Sequence, residues 1–139
     1  MKIDYSSFES AIQQLEKSIS YFNSDMAKNN EELKNQFRSA SIQAFEYTYE
    51  LCIKMIRRQL EVIVSNPAGL REMEFMDLVR TAYESGIVGE PVSYKTYREM
   101  RNITSHTYDQ DKAEEIIKGL KSFLTEVKFV LGQIKKRNK

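Results

Sequence analysis

A ten-residue segment holds most of the side chains in this sequence whose types suit catalysis. Residues 100–109 contain the only histidine of the chain, His106, and around it lie an arginine, an amide, three hydroxyls and a phenol: Arg101, Asn102, Thr104, Ser105, Thr107 and Tyr108. An imidazole can donate or accept a proton near neutral pH, and a guanidinium can hold a phosphate through two parallel hydrogen bonds. This combination suits acid–base chemistry on a phosphate ester.

The spacing of these residues limits how their side chains can meet. On a continuous helix Asn102 and His106 would share a face, and so would Arg101 and Tyr108. Arg101 and His106 would instead point about 140° away from each other. These two side chains can therefore act on one anion only if the helix ends between them.

The sequence supplies a helix end at this point. Three weak helix formers follow the arginine: Thr104, Ser105 and Thr107. Two residue pairs have the capping-box spacing that would start the next helix: Thr107 with Gln110, and Asp111 with Glu114. We therefore predict that the segment crosses a helix end and a tight turn, where polar side chains face a cleft.

A purely structural role also fits these residues. A histidine at a helix C-terminus is a favourable end charge, and Arg101 and Asn102 could satisfy the carbonyl groups left unpaired there. The Tyr108 ring could pack inside a helical bundle. Spacing alone leaves a functional site and a simple helix end both open.

The order of residues in this segment resembles a known motif. Residues 101–108, Arg-Asn-Ile-Thr-Ser-His-Thr-Tyr, resemble the R-x4-H-x-Y motif of the HEPN superfamily. The wider pattern resembles the branch encoded beside minimal nucleotidyltransferases and long labelled nucleotidyltransferase substrate-binding proteins. Residues 45–51 resemble the second-helix signature of that branch, and residues 77–82 followed by Gly86 resemble its third helix. The resemblance covers most of the chain in matching order.

The resemblance implies an activity and a set of residue roles. Many members of the superfamily are metal-independent ribonucleases that act as toxins. At the matching positions of this chain the catalytic residues are Arg101, Asn102 and His106. The residues that bind the substrate are Arg101, Thr104 and Ser105. No cofactor and no metal are expected.

A single histidine places a condition on this chemistry. Cleaving RNA without a metal requires a base for the ribose 2′-OH, an acid for the leaving oxygen and positive charge for the phosphorane. His106 cannot be both acid and base in one step. Two copies related by a two-fold axis would bring two histidines and two arginines to one phosphate. The residues and the resemblance therefore both predict a homodimer.

The same branch implies a partner and a modification. There, a nucleotidyltransferase encoded by a neighbouring gene acts as the antitoxin and transfers AMP to the motif tyrosine, which is Tyr108 here. A phenol is a weak nucleophile near neutral pH, so the partner would have to supply metal-bound ATP and activation. The added phosphate would keep RNA away from Arg101 and His106.

Two other functions remain open at this point. The chain could be a non-catalytic subunit that binds the nucleotidyltransferase and presents a substrate to it, with Arg101 and His106 holding an anion. It could also be a purely structural, dimerising bundle in which the motif is only a helix end.

The first half of the chain is predicted to form two helices. Both prolines and all five glycines lie beyond residue 66, so nothing before that point breaks a helix. The first helix has a capping box, Ser6 with Glu9, and apolar residues spaced by four and three: Phe8, Ile12, Leu15, Ile19 and Phe22. Residues 23–30 are predicted as a turn, with Asn29 and Glu32 capping the helix that follows.

The second helix is predicted over residues 31–65 and ends at residues 66–69, Asn-Pro-Ala-Gly. Its predicted buried seam is Leu33, Phe37, Ala40, Ala44, Tyr47, Leu51 and Met55, continued by Ile56, Leu60 and Ile63. At about 1.5 Å per residue such a helix extends about 50 Å, so it should project past its neighbours or bend.

Three more helices complete the prediction. One is marked by Phe75, Leu78, Val79 and Ala82 and ends at Gly86 in a left-handed C-cap. The next is capped by Ser93 and carries Tyr94, Tyr97, Met100 and Ile103. The last covers residues 111–136 and buries Ile116, Ile117, Leu120, Phe123, Leu124, Val127, Val130 and Leu131. The fold class is all-α: one domain, residues 1–139, forming an up-and-down four-helix bundle with one additional short helix.

Composition excludes several classes of protein. The chain has one cysteine, Cys52, and one histidine, so a disulfide framework or a tetrahedral Cys/His metal site cannot form within it. A net charge of +1 argues against coating nucleic acid by charge alone. No apolar run has the length of a signal peptide or a membrane span, so we expect a cytoplasmic protein without a membrane partner.

Overall fold

Helices account for most of the structure, a computed structural model that describes residues 2–139. In chain order they are α1 (Ser6–Phe22), α2 (Asp25–Lys28), α3 (Glu31–Ile63), α4 (Ala68–Arg71), α5 (Phe75–Glu84), α6 (Ser93–Asn102) and α7 (Gln110–Arg137). A single turn of 3-10 helix, Thr104–His106, lies between α6 and α7. No strand is present within residues 2–139. The all-α prediction is confirmed.

Side-chain contacts give the relative directions of α1 and α3. Near one end of the pair the Tyr21 ring stacks on the Phe37 ring with centroids 5.4 Å apart. Further along, the Thr48 hydroxyl lies 3.3 Å from the carbonyl oxygen of Ala11. Numbering rises along α1 as it falls along α3, so the two helices are antiparallel.

The last helix α7 packs between these two. Ion pairs join Lys128 to Glu16 and Lys135 to Glu9, which makes α7 antiparallel to α1. At one end of α3 Arg38 pairs with Glu114 at 3.1 Å. At the other end the Asn138 side chain donates to the amide oxygen of Gln59 at 2.9 Å. Helices α3 and α7 are therefore parallel.

Helix α6 completes the bundle by running against α7. The Tyr94 hydroxyl donates to Glu126 at 2.7 Å, and the Tyr97 hydroxyl lies 2.7 Å from the Ser122 hydroxyl. Residue numbers rise along α6 as they fall along α7, so these two helices are antiparallel. The order α1, α3, α6, α7 is thus up, down, up, down, with α5 packed on α3 and α6.

The buried face of α3 matches the predicted seam at Met55, Ile56 and Leu60 and differs from it before them. The residues that are buried are Ser41, Ile42, Phe45, Thr48, Tyr49, Cys52, Met55, Ile56, Gln59 and Leu60. Ala40 is exposed, Tyr47 is 58% exposed and Ile63 is 44% exposed. The stripe from Ile42 to Ile56 repeats at spacings of three and four, as the predicted stripe does. Because both stripes have helical spacing, the period alone could not choose between them.

Three predicted helix caps are wrong. At α1 the predicted Ser6–Glu9 pair does not form a capping box; instead the Asp4 carboxylate accepts hydrogen bonds from the Ser6 N–H and from the Ser6 hydroxyl. These bonds, the hydroxyl bond first, hold the pKa of Asp4 below its ordinary value. At α3 the cap is Asn30, whose side chain accepts from the Leu33 N–H at 3.1 Å. At α6 Ser93 lies inside the helix. In each case a neighbouring residue occupies the capping position, and boundaries of this kind depend on the exact dihedral angles of the flanking residues.

The two stretches predicted as plain turns contain short helices. Residues 23–30 include α2, which Ser24 caps through a hydrogen bond from the Ala27 N–H at 3.3 Å. Residues 66–69 include the start of α4, and α3 ends at Ile63, two residues before the predicted end. Both turns are polar or contain proline, and one helical turn satisfies their backbone groups locally.

The predicted C-cap at Gly86 is confirmed. Its φ is +78°, which is the left-handed region. The Gly86 N–H donates to the Tyr83 carbonyl and the Ile87 N–H donates to the Ala82 carbonyl, which together form a Schellman motif. This turn ends α5, and Ile87 and Val88 that follow it are buried in the core.

Glu126 on α7 is a buried carboxylate under the α5–α6 connection. Its Oε2 accepts hydrogen bonds from the Gly89 N–H at 2.9 Å and from Tyr94. Burial raises the pKa of this carboxyl above its ordinary value. A Cβ at residue 89 would lie 2.7 Å from Glu126 Oε1, so any other residue there would displace the Glu126 carboxylate. Unlike a carboxylate on a solvated helix face, Glu126 is therefore held inside the fold by two hydrogen-bond donors.

None of the helices within residues 2–139 combines the length and the apolar character that crossing a membrane requires.

The register of α3 can be tested by paired substitutions. Phe45 is fully buried, with its ring 4.8 Å from that of Phe123. Phe45→Ala should lower the free energy of unfolding by about 3–5 kcal/mol, because it removes a buried ring and leaves a cavity. Tyr47→Ala, at an exposed position, should change it by about 0.5 kcal/mol or less. Urea unfolding measures both, and a larger loss for Tyr47→Ala would contradict this register.

Candidate functional site

The segment singled out in the sequence does cross a helix end. Helix α6 stops at Asn102, and Ile103 adopts φ −97° and ψ 3° before the 3-10 turn begins. The His106 N–H then donates to the Ile103 carbonyl at 2.9 Å, and the Asp109 N–H donates to the His106 carbonyl at 3.0 Å. The predicted break between Arg101 and His106 is confirmed.

The start of α7 is capped by a residue that neither predicted pair contains. The Asp109 side chain accepts from the Asp111 N–H at 3.0 Å. The pairs Thr107–Gln110 and Asp111–Glu114 are therefore wrong as capping boxes. Asp109 is preferred because it directly follows the 3-10 turn, with extended dihedral angles that aim its carboxylate at the first free N–H groups of α7.

Arg101 is held by two carboxylates of α3. Its Nε donates to Glu50 Oε1 at 2.7 Å, and its Nη1 lies 3.6 Å from Glu46 Oε2. Nη1 also donates to the Thr104 hydroxyl at 3.1 Å. Glu46 and Glu50 are one helical turn apart, so both face the end of α6. The Arg101 side chain is 34% exposed.

Thr104 links α3 to the turn from a buried position. It is 8% exposed, and its hydroxyl lies 2.7 Å from Glu46 Oε2 and 2.8 Å from the Arg101 carbonyl oxygen. The hydroxyl has one proton, so it donates to one of these two acceptors at a time while accepting from Arg101 Nη1. Thr104 therefore joins the backbone of the helix end, the guanidinium and α3 in one network.

His106 and Tyr108 are on the outside of the same turn. Both side chains are exposed, Tyr108 by 85%. Their ring centroids are 6.0 Å apart, and the Tyr108 hydroxyl lies 3.5 Å from His106 Nδ1, at the long limit of a hydrogen bond. The alternative in which Tyr108 packs its ring inside the bundle is wrong, because this ring is in solvent.

The two remaining predicted residues lie at the surface of the helix end. Asn102 and Ser105 are exposed. Within residues 2–139 no hydrogen bond or ion pair joins Arg101 to His106, so one chain brings these side chains to the same end of the bundle without direct contact. The same residues contain no group of three or more His, Cys, Asp or Glu side chains that could hold a metal ion.

Two acidic residues of the site were missed by sequence reasoning. Glu46 and Glu50 were not among the predicted site residues, yet they are the partners of Arg101. Their spacing of four on α3 and their place within residues 45–51 were the signals that could have found them. Their partner lies 51 residues from Glu50 in sequence, so only the tertiary fold pairs them.

A polar groove lies beside this network, between α3 and the turn. It has a volume of about 550 Å³. Amide, hydroxyl and carboxylate side chains line it: Gln36, Ser39, Gln43, Glu46, Thr104 and Thr107. Because Glu46 and Thr104 belong both to the groove and to the Arg101 network, a ligand in the groove would lie next to the guanidinium.

Comparisons with known proteins agree with this architecture. Residues 3–136 match the family described as nucleotidyltransferase substrate binding protein like. The probable ribonuclease HepT of Haemophilus influenzae is 42% identical over 100 residues, which are 72% of this chain and 68% of that protein. A solved structure from Haemophilus influenzae, described as the fold of a substrate binding domain of a nucleotidyltransferase, has a TM-score of 0.90. It is 32% identical and covers 95% of this chain and 99% of its own.

The match of the family to nearly the whole chain, the identity to HepT and the shared fold all agree with the resemblance carried by residues 101–108. The chain belongs to the nucleotidyltransferase substrate binding protein-like family, the branch of the HEPN superfamily that its motif indicates.

Proposed function

We propose that this chain is a HEPN-type, metal-independent endoribonuclease that acts as a homodimer and is the toxin of a toxin–antitoxin pair. The observation that carries the proposal is the helix end between Arg101 and His106, which turns both side chains away from the core at one end of the bundle. A purely structural helix end accounts for the histidine as an end charge, but it gives no reason for a tyrosine beside it that is 85% exposed. The ribonuclease name of the Haemophilus influenzae relative supports the same activity.

The reaction is an attack by the ribose 2′-oxygen on the adjacent phosphorus. A base removes the 2′-OH proton, the bond between the 2′-oxygen and phosphorus forms, and the bond between phosphorus and the 5′-oxygen breaks. An acid gives a proton to the departing 5′-oxygen, which leaves a 2′,3′-cyclic phosphate and a 5′-hydroxyl. Arg101 stabilises the negative charge of the phosphorane, and Asn102 orients the phosphate.

The dimer follows from the number of histidines. One His106 acts as the base while the other, protonated, acts as the acid, since the two proton transfers occur on opposite sides of the phosphorus. Thr104 and Ser105 border the path of the RNA strand beside Arg101. His106 lies in solvent, so a second copy can approach it without unfolding the bundle.

His106→Ala should abolish RNA cleavage. Removing the only imidazole of each copy takes away both the acid and the base, so the rate should fall by at least about 100-fold. The measurement is cleavage of a labelled single-stranded RNA by purified, nuclease-free protein. Circular dichroism and the mass of the dimer in solution should not change.

Lys95→Ala provides the matched control for this substitution. Lys95 is exposed on α6, at the opposite end of that helix from the motif. It should leave cleavage unchanged. Undiminished cleavage by the His106→Ala protein would remove this histidine from the mechanism.

Neutralisation by a partner is the second part of the proposal. A nucleotidyltransferase encoded by a neighbouring gene transfers AMP from ATP to Tyr108: the phenol oxygen bonds to the α-phosphorus, the bond to pyrophosphate breaks, and the phenol proton passes to a base. Tyr108 is 85% exposed, so a partner enzyme can reach its oxygen. The adenylyl phosphodiester would carry a negative charge beside His106 and exclude the RNA phosphate.

Co-expression with the neighbouring gene product should add one adenylyl group to Tyr108. Intact-mass spectrometry measures the addition, and Tyr108→Phe should abolish it. Tyr83→Phe is the matched control, because Tyr83 is also an exposed tyrosine, at 53%, but lies on α5. Addition that survives Tyr108→Phe would exclude this residue as the acceptor.

The alternative function is a non-catalytic subunit that presents a substrate to the nucleotidyltransferase. One observation weighs against catalysis by Arg101: it already has two carboxylate neighbours, so the three groups together carry one negative charge, which opposes the stabilisation of a phosphorane. The description of the matched family and of the solved structure also names substrate binding by a nucleotidyltransferase.

Expression of this chain alone separates the two functions. A toxin should arrest growth, and His106→Ala should relieve the arrest. A binding subunit should have no effect on growth, with activity appearing only when the nucleotidyltransferase is added. Colony counts after induction measure the first, and nucleotidyl transfer by the mixed complex measures the second.

A further inference from the structure

The guanidinium of Arg101 is engaged through two of its three nitrogen atoms. Arginine has five N–H donors in a planar fork. Nε donates to Glu50 at 2.7 Å and Nη1 donates to Thr104 at 3.1 Å. Within residues 2–139 neither N–H of Nη2 has a hydrogen-bond partner. The contacts of Nε and Nη1 are made to α3 and to the turn, and Nη2 remains available to a ligand.

The stability of the fold does not account for this arrangement. The side chains of Arg101 and Glu50 are 34% and 58% exposed, and ion pairs with this exposure contribute little to stability. Arginine also loses much rotamer freedom when it is fixed. Two carboxylates and a buried hydroxyl converge on one guanidinium, so the cluster fixes its position more than it strengthens the fold.

We propose that Glu50 is a positioning residue for Arg101, and that Glu46 assists it through the Thr104 hydroxyl. Glu50 holds Nε, Glu46 and Thr104 hold Nη1, and the Nη2 side is thereby aimed at the substrate phosphate. The proposal rests on the proposed ribonuclease function, and it adds residues of α3 to the site. Neither carboxylate touches the RNA.

The same contacts also allow Glu50 to weaken the binding of RNA by Arg101. Glu50 also places a negative charge against the cation that must bind phosphate. If Glu50 only masked Arg101, its removal would strengthen RNA binding and raise the rate. If Glu50 positions Arg101, its removal should lower kcat without raising KM, because the phosphate meets more positive charge but a poorly oriented guanidinium.

Three variants separate these effects. Glu50→Ala removes the acceptor and the charge, whereas Glu50→Gln removes the charge and keeps an oxygen that can accept from Arg101 Nε. Glu61→Ala is the matched control, since Glu61 is an exposed glutamate further along α3. Steady-state kcat and KM on a short single-stranded RNA are measured for each.

Positioning predicts a loss of roughly 10- to 100-fold in kcat for Glu50→Ala, with KM unchanged or lower. Glu50→Gln should keep most of the wild-type kcat, and Glu61→Ala should keep all of it. A kcat for Glu50→Ala equal to or above wild type would overturn the proposal. Equal losses in Glu50→Ala and Glu50→Gln would also overturn it, because they would assign the effect to charge.

A second readout does not depend on cleavage. Nitrogen-15 relaxation of the Arg101 Nε–H, assigned with Arg101→Lys, reports whether the side chain is ordered. The signal should be rigid in wild type and Glu50→Gln and mobile in Glu50→Ala. A wild type that cleaves no RNA would refute the proposed function, and the relaxation would still decide whether Glu50 holds Arg101: an equally rigid signal in Glu50→Ala would overturn the proposal.

Discussion

The termination of α6 at Asn102 is the constraint on which the rest of the site depends. Had the helix continued, Arg101 and His106 would project in directions about 140° apart. The break lets Thr104 fold back onto the helix end, where its hydroxyl meets the Arg101 carbonyl at 2.8 Å and the guanidinium at 3.1 Å. One side of the turn thus joins α3, while His106 and Tyr108 on its other side remain in solvent.

Close packing of α6 on α7 holds this helix end in place. Met100, the residue before Arg101, is buried against Gly119 of α7. A Cβ on Gly119 would lie 2.4 Å from the Met100 sulfur, so any other residue there would displace the Met100 side chain. Glycine inside a helix costs about 1 kcal/mol relative to alanine, and here it leaves room for this side chain. The packing of the residue next to Arg101 therefore depends on a residue that has no polar role.

Local sequence signals predicted the elements, and tertiary contacts decided what the signals left open. Gly86 was predicted correctly because a left-handed C-cap depends on one residue. The register of the earlier part of α3 was not predicted correctly, because two stripes of residues had the same helical spacing. The choice between them depends on which face of α3 is covered by α1 and α7. The helix break after Arg101 was predicted from the weak helix formers that come after it. The partners of that arginine could not be predicted in this way, since Glu50 is 51 residues away in sequence.

The division of α3 between core and site explains why it is so much longer than α6. Its middle and C-terminal parts carry the buried residues from Ile42 to Leu60, and its N-terminal turns lie along the polar groove. Glu46 and Glu50 alternate with the buried positions Phe45, Thr48 and Tyr49, so the same turns that pack the core also present carboxylates to Arg101. A shift of α3 by one residue would disturb the packing of the core and the contacts between these carboxylates and Arg101 at once. Under the proposed function, packing of the core and orientation of the guanidinium are therefore one structural requirement, and a substitution that moves α3 would change activity without touching the motif.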